Sequence, residues 1–323
     1  MFTEDWSDTP VVGVAGKAGQ ATLDQQTPGG QSKIENPKSK IGWLGVYLRL
    51  SKTALVSMVV LTMAAGFLLA NRQCLDLPRF LWAALGTAFT AAGANAFNQW
   101  HEAQLDKLMR RTRGRPLPAR QLGSRQAFCW AACVSAIGLC VLACGTNALA
   151  TVLAVGAEAM YVLAYTPLKR RSTVCTLVGA VCGAIPPLIG WAAASGRLEH
   201  GAWLLAVMLF LWQIPHVLAL AWLHRADLRR ADFRVLPQVD GTGRGSCRFC
   251  LLYSAALVPL SLCLPLMQVA NWRSAAGVAA ASVVMAILSF RLCRRQSDAN
   301  AQALFRYTLA YLPLALMLMI IGG

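Results

Sequence analysis

Nine mostly apolar stretches, at about 51–70, 80–99, 126–144, 147–165, 174–194, 202–223, 248–268, 272–290 and 304–321, leave this chain few folds to choose from. A bilayer is crossed by about 20 apolar residues in a helix. A strand of an outer-membrane barrel instead alternates over about ten. The stretches here are long and do not alternate, so they predict an all-α, polytopic membrane bundle of nine transmembrane helices. The chain is 56% hydrophobic and 14% charged, which excludes an ordinary soluble domain, and its net charge of +16 needs a place outside the lipid.

That charge sorts the connections. Lys107, Arg110, Arg111, Arg113, Arg115 and Arg120 follow the second stretch, Lys169–Arg171 the fourth, Arg225, Arg229, Arg230 and Arg234 the sixth, and Arg291, Arg294 and Arg295 the eighth. The intervening connections are nearly bare of Lys and Arg. By the positive-inside rule the N-terminus and the four basic loops lie inside and the C-terminus outside. The partner this pattern implies is membrane lipid and not nucleic acid.

Residues 1–42 are polar and rich in Gly, Ser and Pro, without apolar periodicity, and read as a disordered extension ahead of a membrane domain at 43–323. No cleavable targeting pattern is visible there, which favours a bacterial inner membrane over a mitochondrial one. The eleven cysteines lie largely within apolar stretches. Cys129, Cys133, Cys140 and Cys144 share one helical face, and a helix-packing role is expected for them. Packing is also expected for Cys247 and Cys250, whose CxxC spacing has no second pair to complete a metal site.

The chemistry concentrates in "FNQWHEAQLDKLMRRTRGRPLP", residues 97–118. Asn98, Glu102 and Asp106 stand at i, i+4 and i+8, a strip about 80 degrees wide on one helix face. Three oxygen-bearing side chains suit Mg²⁺, which takes oxygen ligands and keeps positions open for phosphates. A solvated helix end is the plain alternative. A second cluster, "HRADLRRADFRVLP", ends the sixth stretch, and Asp227 there is placed to join the same metal site. The surplus cations in both loops and in "YTPLKRRS" suit a diphosphate leaving group, although topology alone also calls for them. His216 lies within the sixth stretch, where ionisable groups usually face the bundle interior. Eleven residues separate it from Asp227, which puts both on one face if the helix continues past Pro215. Gly179 and Gly183, ahead of Pro186 and Pro187, mark close helix contact and a bend.

These segments together resemble the UbiA superfamily of intramembrane prenyltransferases over about residues 45–320. The first motif fits N-x3-[DE]-x3-D-x2-M-x-RT-x2-RP, the form found in the protohaem IX farnesyltransferases. "YTPLKRRS", "GAVCGAIPPLIGWAA" and "LWQIPHVLALAW" follow in that family's order. The resemblance implies transfer of a farnesyl group from farnesyl diphosphate to a vinyl group of haem B with addition of water, giving haem O for terminal oxidases. It implies Mg²⁺ and diphosphate on Asn98, Glu102, Asp106 and Asp227, and phosphate contacts from Arg110, Arg113, Arg115, Lys169 and Arg170. His216 would face the haem. A haem O-processing enzyme or an oxidase assembly factor is the implied downstream partner. The second motif departs from the family's DY-x2-AG: Leu228 follows Asp227, and Asp232 replaces the glycine. Cys175 stands where asparagine is common. The altered second motif keeps open a non-catalytic haem-binding factor; a UbiA-type enzyme acting on an aromatic acceptor is a second alternative, against which the Met109-x-Arg111-Thr112 run and "WQIPH" argue, and a transporter is a third.

Overall fold

The computed structural model describes residues 42–72 and 75–323, so the expected disordered extension lies, but for Gly42, outside the described residues. A short helix α1 (Trp43–Ser51) leads into α2 (Thr53–Ala70), followed by α3 (Leu77–Asp106) and α4 (Ser124–Gly145). Next, α5 (Ala148–Ala159) passes through a π-helical turn (Met160–Tyr165) into α6 (Thr166–Leu168), making one continuous span. Then come α7 (Cys175–Ser195), α8 (His200–Leu223), the short α9 (Arg225–Arg230) and α10 (Leu236–Val239), and finally α11 (Arg244–Leu266), α12 (Trp272–Arg294) and α13 (Asp298–Ile321). Among the described residues nine of these helical units are long and apolar enough to cross a membrane, as the hydropathy pattern predicts. The bundle is all-α.

Lipid substitutes for water as the outer solvent, so apolar side chains face both ways. Leu163, Val152 and Leu252 are exposed on the rim while Phe67, Leu205 and Phe305 are buried within. Without a hydrophobic drive between helices, close packing and hydrogen bonds must hold them together. On α2 a Cβ at Gly66 would overlap the carbonyl of Pro187 on α7, so only glycine permits that approach. Between α12 and its neighbours the glue is polar: Ser254 on α11 meets the Ser289 hydroxyl at 2.9 Å, and Ser282 meets Tyr311 of α13 at 2.9 Å.

The α3/α4 contact corrects the cysteine expectation. Cys129, Cys133, Cys140 and Cys144 are all exposed on the outer face of α4. The opposite face, with Ala127, Ala131, Ser135 and Gly138, is smaller still, and that face is buried. Gly138 lies against the Thr90 backbone and Gly93 against Ser135. Cys247 and Cys250 are buried, as a packing role requires. Pro186 and Pro187 lie within α7, and Pro215 within α8, without ending either helix. Gly179 and Gly183 face the Tyr165 ring and the Gln213 side chain.

One break positions the site. Lys52 separates α1 from α2 with φ of 51°, a left-handed turn rare outside glycine. Gln99 of α3 steadies it by donating its side-chain amide to the carbonyls of Arg49 and Leu50, both at 2.9 Å, which satisfies the orphan carbonyls that end α1.

Candidate active site

The strip predicted on α3 is buried and faces a cavity enclosed by α2, α3, α5, α7 and α8. Each of its three members meets a cation from a different element. Lys52 donates to Asn98 Oδ1 at 3.0 Å, Lys169 to Glu102 Oε1 at 2.7 Å, and Arg115 to both carboxylate oxygens of Asp106 at 2.9 Å. The chain reaches this geometry through local devices. Thr112, fully buried, donates to the Asp106 carbonyl at 2.9 Å and curls the following loop so that Arg115 returns to α3. Asn98 donates to Thr166 Oγ1 at 3.2 Å, which joins α3 to the span carrying Lys169 just beyond its π turn. The Lys169 ammonium also lies 4.5 Å from the centre of the Tyr165 ring, a cation–π contact.

Lys52 went unremarked in the sequence because it opens an apolar stretch and belongs to no charge run. Burial, and after it the nearby Arg115 charge, depresses its pKa to about 7. Among the described residues its hydrogen-bond partner is the Asn98 amide oxygen, which does not neutralise a charge and leaves it suited to an anion.

The other predicted residues divide. His216 is buried and lines the same cavity, stacked between Trp212 and Phe305 at centroid distances of 5.1 and 5.0 Å. Its Nδ1 is 2.8 Å from Thr308 Oγ1, and that hydroxyl donates to the Phe305 carbonyl, so Nδ1 is the donor in the pair. Asp227 does not line the cavity: α8 ends at Leu223 and α9 begins at Arg225, with His224 between them out of helical geometry at φ −103° and ψ 18°, so the uninterrupted helix that a common face of His216 and Asp227 requires is broken. Its carboxylate instead accepts from the backbone N–H groups of Arg110 and Arg111, at 3.4 and 3.3 Å, and from Arg230 at 2.6 Å. Asp227 thereby fixes the loop that brings Arg111 to the cavity mouth. Beside it, burial and then the Arg111 charge push His224 down to about 4. Arg110, Arg113 and Arg170 are exposed and stand outside the cavity lining. Asp232 is also exposed, with φ of 53°, and this explains why the family pattern has glycine there.

The donor set fits a hard divalent cation. Two carboxylates and an amide oxygen occupy successive turns of one helix face and would suit Mg²⁺, which takes oxygen ligands and leaves positions for phosphate. Among the described residues no group of three His, Cys, Asp or Glu side chains is placed to hold a metal. Among the described residues Lys52, Arg111, Arg115 and Lys169 line the same end of the cavity as Glu102 and Asp106, a set of cations suited to phosphate oxygens.

The sequence matches the model of the UbiA prenyltransferase family over residues 59–311. The chain belongs to that family. It is 33% identical over 284 residues to the protoheme IX farnesyltransferase of Solibacter usitatus (strain Ellin6076), covering 85% of this chain and 97% of that one. To the enzyme of that name from Anaeromyxobacter sp. (strain Fw109-5) it is 40% identical over 276 residues, covering 85% and 93%. The human mitochondrial protoheme IX farnesyltransferase is 38% identical, and the match spans 62% of its length. Among solved structures a digeranylgeranylglyceryl phosphate synthase superposes with a TM-score of 0.74 at 16% identity, covering 86% of this chain and 98% of that one. A UbiA homologue from Archaeoglobus fulgidus, bound to DMAPP and Mg²⁺, gives 0.65 at 16% identity, with 84% and 98% covered. These likenesses establish the UbiA fold.

Proposed function

We propose that this prenyltransferase moves the farnesyl group of farnesyl diphosphate onto a vinyl group of haem B, with addition of water, to form haem O. The observation that carries this reading is the likeness to protoheme IX farnesyltransferases along 85% of the chain. The cavity supports it with an ionic cluster at one end and an apolar wall for isoprenoid and porphyrin beyond.

In this reading Asn98, Glu102 and Asp106 would hold Mg²⁺, which would supply positive charge for a diphosphate leaving group. Lys52, Lys169 and Arg115 turn from the strip to the phosphate oxygens, with Arg111 at the mouth. Asp227 acts through the Arg110–Arg111 loop and not as a ligand. Arg110, Arg113 and Arg170, exposed on the basic side, draw the anionic substrate toward the opening. The buried walls keep bulk water from the allylic cation. His216, held by Thr308 and two aromatic rings, faces the porphyrin. By the positive-inside rule the basic loops support an opening on the inner side of a bacterial or mitochondrial inner membrane. The product passes to a haem O-processing enzyme or an oxidase assembly factor.

The test is to incubate membranes carrying the protein with haem B, farnesyl diphosphate and Mg²⁺ and to resolve the extracted haems by mass spectrometry. A hydroxylated farnesyl haem is expected. Haem B recovered unchanged, with 4-hydroxybenzoate prenylated in a parallel incubation, would replace this reading with an aromatic acceptor.

A further inference from the structure

Three carboxylates line the cavity among the described residues, and the third has no part in the reading above. Glu158 is the single acid of its span, on the otherwise apolar α5, and an ionisable group at such a position is expensive unless it works. Glu102 and Asp106 each carry a cation, whereas among the described residues Glu158 pairs with none; the hydroxyl of Ser135 donates to its Oε1. Ser135 in turn occupies the space that a side chain on Gly93 would fill. This fixes the depth of the carboxylate. Gly93 is five residues from Asn98 along α3, about 7.5 Å at helical rise, so Glu158 stands one layer below the ionic cluster. Asn95 and Tyr161, 3.5 Å apart, occupy the layer between. Farther along the same wall the buried Thr87 hydroxyl has no hydrogen-bond partner among the described residues, a second sign that the wall receives water or another polar group.

The reaction needs a proton acceptor away from the diphosphate, on the wall that faces the acceptor. The vinyl CH₂ forms a bond to the farnesyl C1 as the C1–O bond breaks and its electron pair leaves with diphosphate. The positive charge moves to the vinyl carbon next to the porphyrin ring. Water adds there through oxygen and must lose a proton, or the neighbouring CH₂ loses one and an alkene results. We infer that Glu158 is the catalytic base of the hydration step, taking the proton from the water that adds, with Ser135 as the positioning residue that aims it. The inference rests on the farnesyl transfer proposed above.

Product partition tests it, because a ratio of products is independent of expression level. With Glu158→Gln, farnesyl diphosphate is still consumed, and the ratio of hydroxylated to dehydrated farnesyl haem falls at least tenfold. Glu158→Asp restores part of it. Ser135→Ala, which keeps the carboxylate and serves if the Gln variant fails to accumulate, shifts the ratio the same way by a smaller factor. A wild-type ratio in Glu158→Gln, or in Ser135→Ala where the Gln variant is lost, overturns the proposal. So does loss of diphosphate release in a Glu158→Gln protein that accumulates normally, since that places the residue in ionisation. If the wild type itself forms no farnesylated haem, the transfer reading fails and this inference falls with it, a result distinct from the others.

Discussion

The pairing of Glu102 with Lys169 is the most exposed to test at the scale of single residues, because both are buried and each is the other's main counter-charge. Removing one partner of a buried pair costs about 3–5 kcal/mol, since a charge is left behind. Glu102→Ala should therefore lower the thermal midpoint of solubilised protein sharply, and adding Lys169→Met should recover most of the loss; equal losses in both variants would deny the pairing. Asp232 offers the opposite experiment. Its positive φ is tolerated by aspartate but free for glycine, so Asp232→Gly should leave activity unchanged and hold or raise the melting temperature. At this scale the strip of Asn98, Glu102 and Asp106 was legible because helical spacing alone puts them on one face. Lys52 was not legible, since the left-handed turn that buries it cannot be seen in a row of letters. Glu158 was legible in principle, as a lone acid within an apolar stretch, but spacing gave it no partner: Ser135 lies on another helix.

Among the elements, helix contacts decide what local pattern cannot. The cysteine face of α4 and its Ala/Ser/Gly face both read as packing surfaces, and only the glycine-lined approach of α3 selects the second. The shared face of His216 and Asp227 failed for a similar reason: nothing in the sequence marks His224 as the break between α8 and α9. Gly66→Ala should destabilise by about 1–3 kcal/mol, the cost of forcing a methyl against packed backbone, read as a lower melting midpoint with a normal span count. At the start of α11, burial tends to raise the Asp240 pKa, but bonds from the Ser246 N–H at 2.9 Å and from Thr242 outweigh it and hold the carboxyl below its usual range. A depressed carboxylate contributes stability above its unfolded pKa of about 3.9 and loses it as pH falls through the folded value. Melting of the wild type should thus drop more steeply in acid than that of Asp240→Asn, and the gap between them should be constant above about pH 5.

For the whole molecule, hydropathy gave the nine spans with boundaries close to those observed, because lipid demands length and apolarity of every crossing. The cavity among them was not foreseeable in extent; it depends on which faces the helices turn inward. The alternation of basic loops predicts that a reporter fused after Gly323 is reached from outside while one placed in the Arg110–Arg115 loop is reached only from inside. A loop reporter reached from outside would reverse the proposed entry of diphosphate, and the same side for both would contradict the odd number of crossings between them. The central claim is that the α3 strip and its cations handle a diphosphate at the end of this cavity. Its most direct measurement is diphosphate release together with haem product in membranes carrying wild type or Asp106→Ala, at matched protein level. The account predicts one diphosphate per farnesylated haem in the wild type and a loss on the order of a hundredfold in the variant. Release at the wild-type rate from a folded Asp106→Ala protein would contradict it.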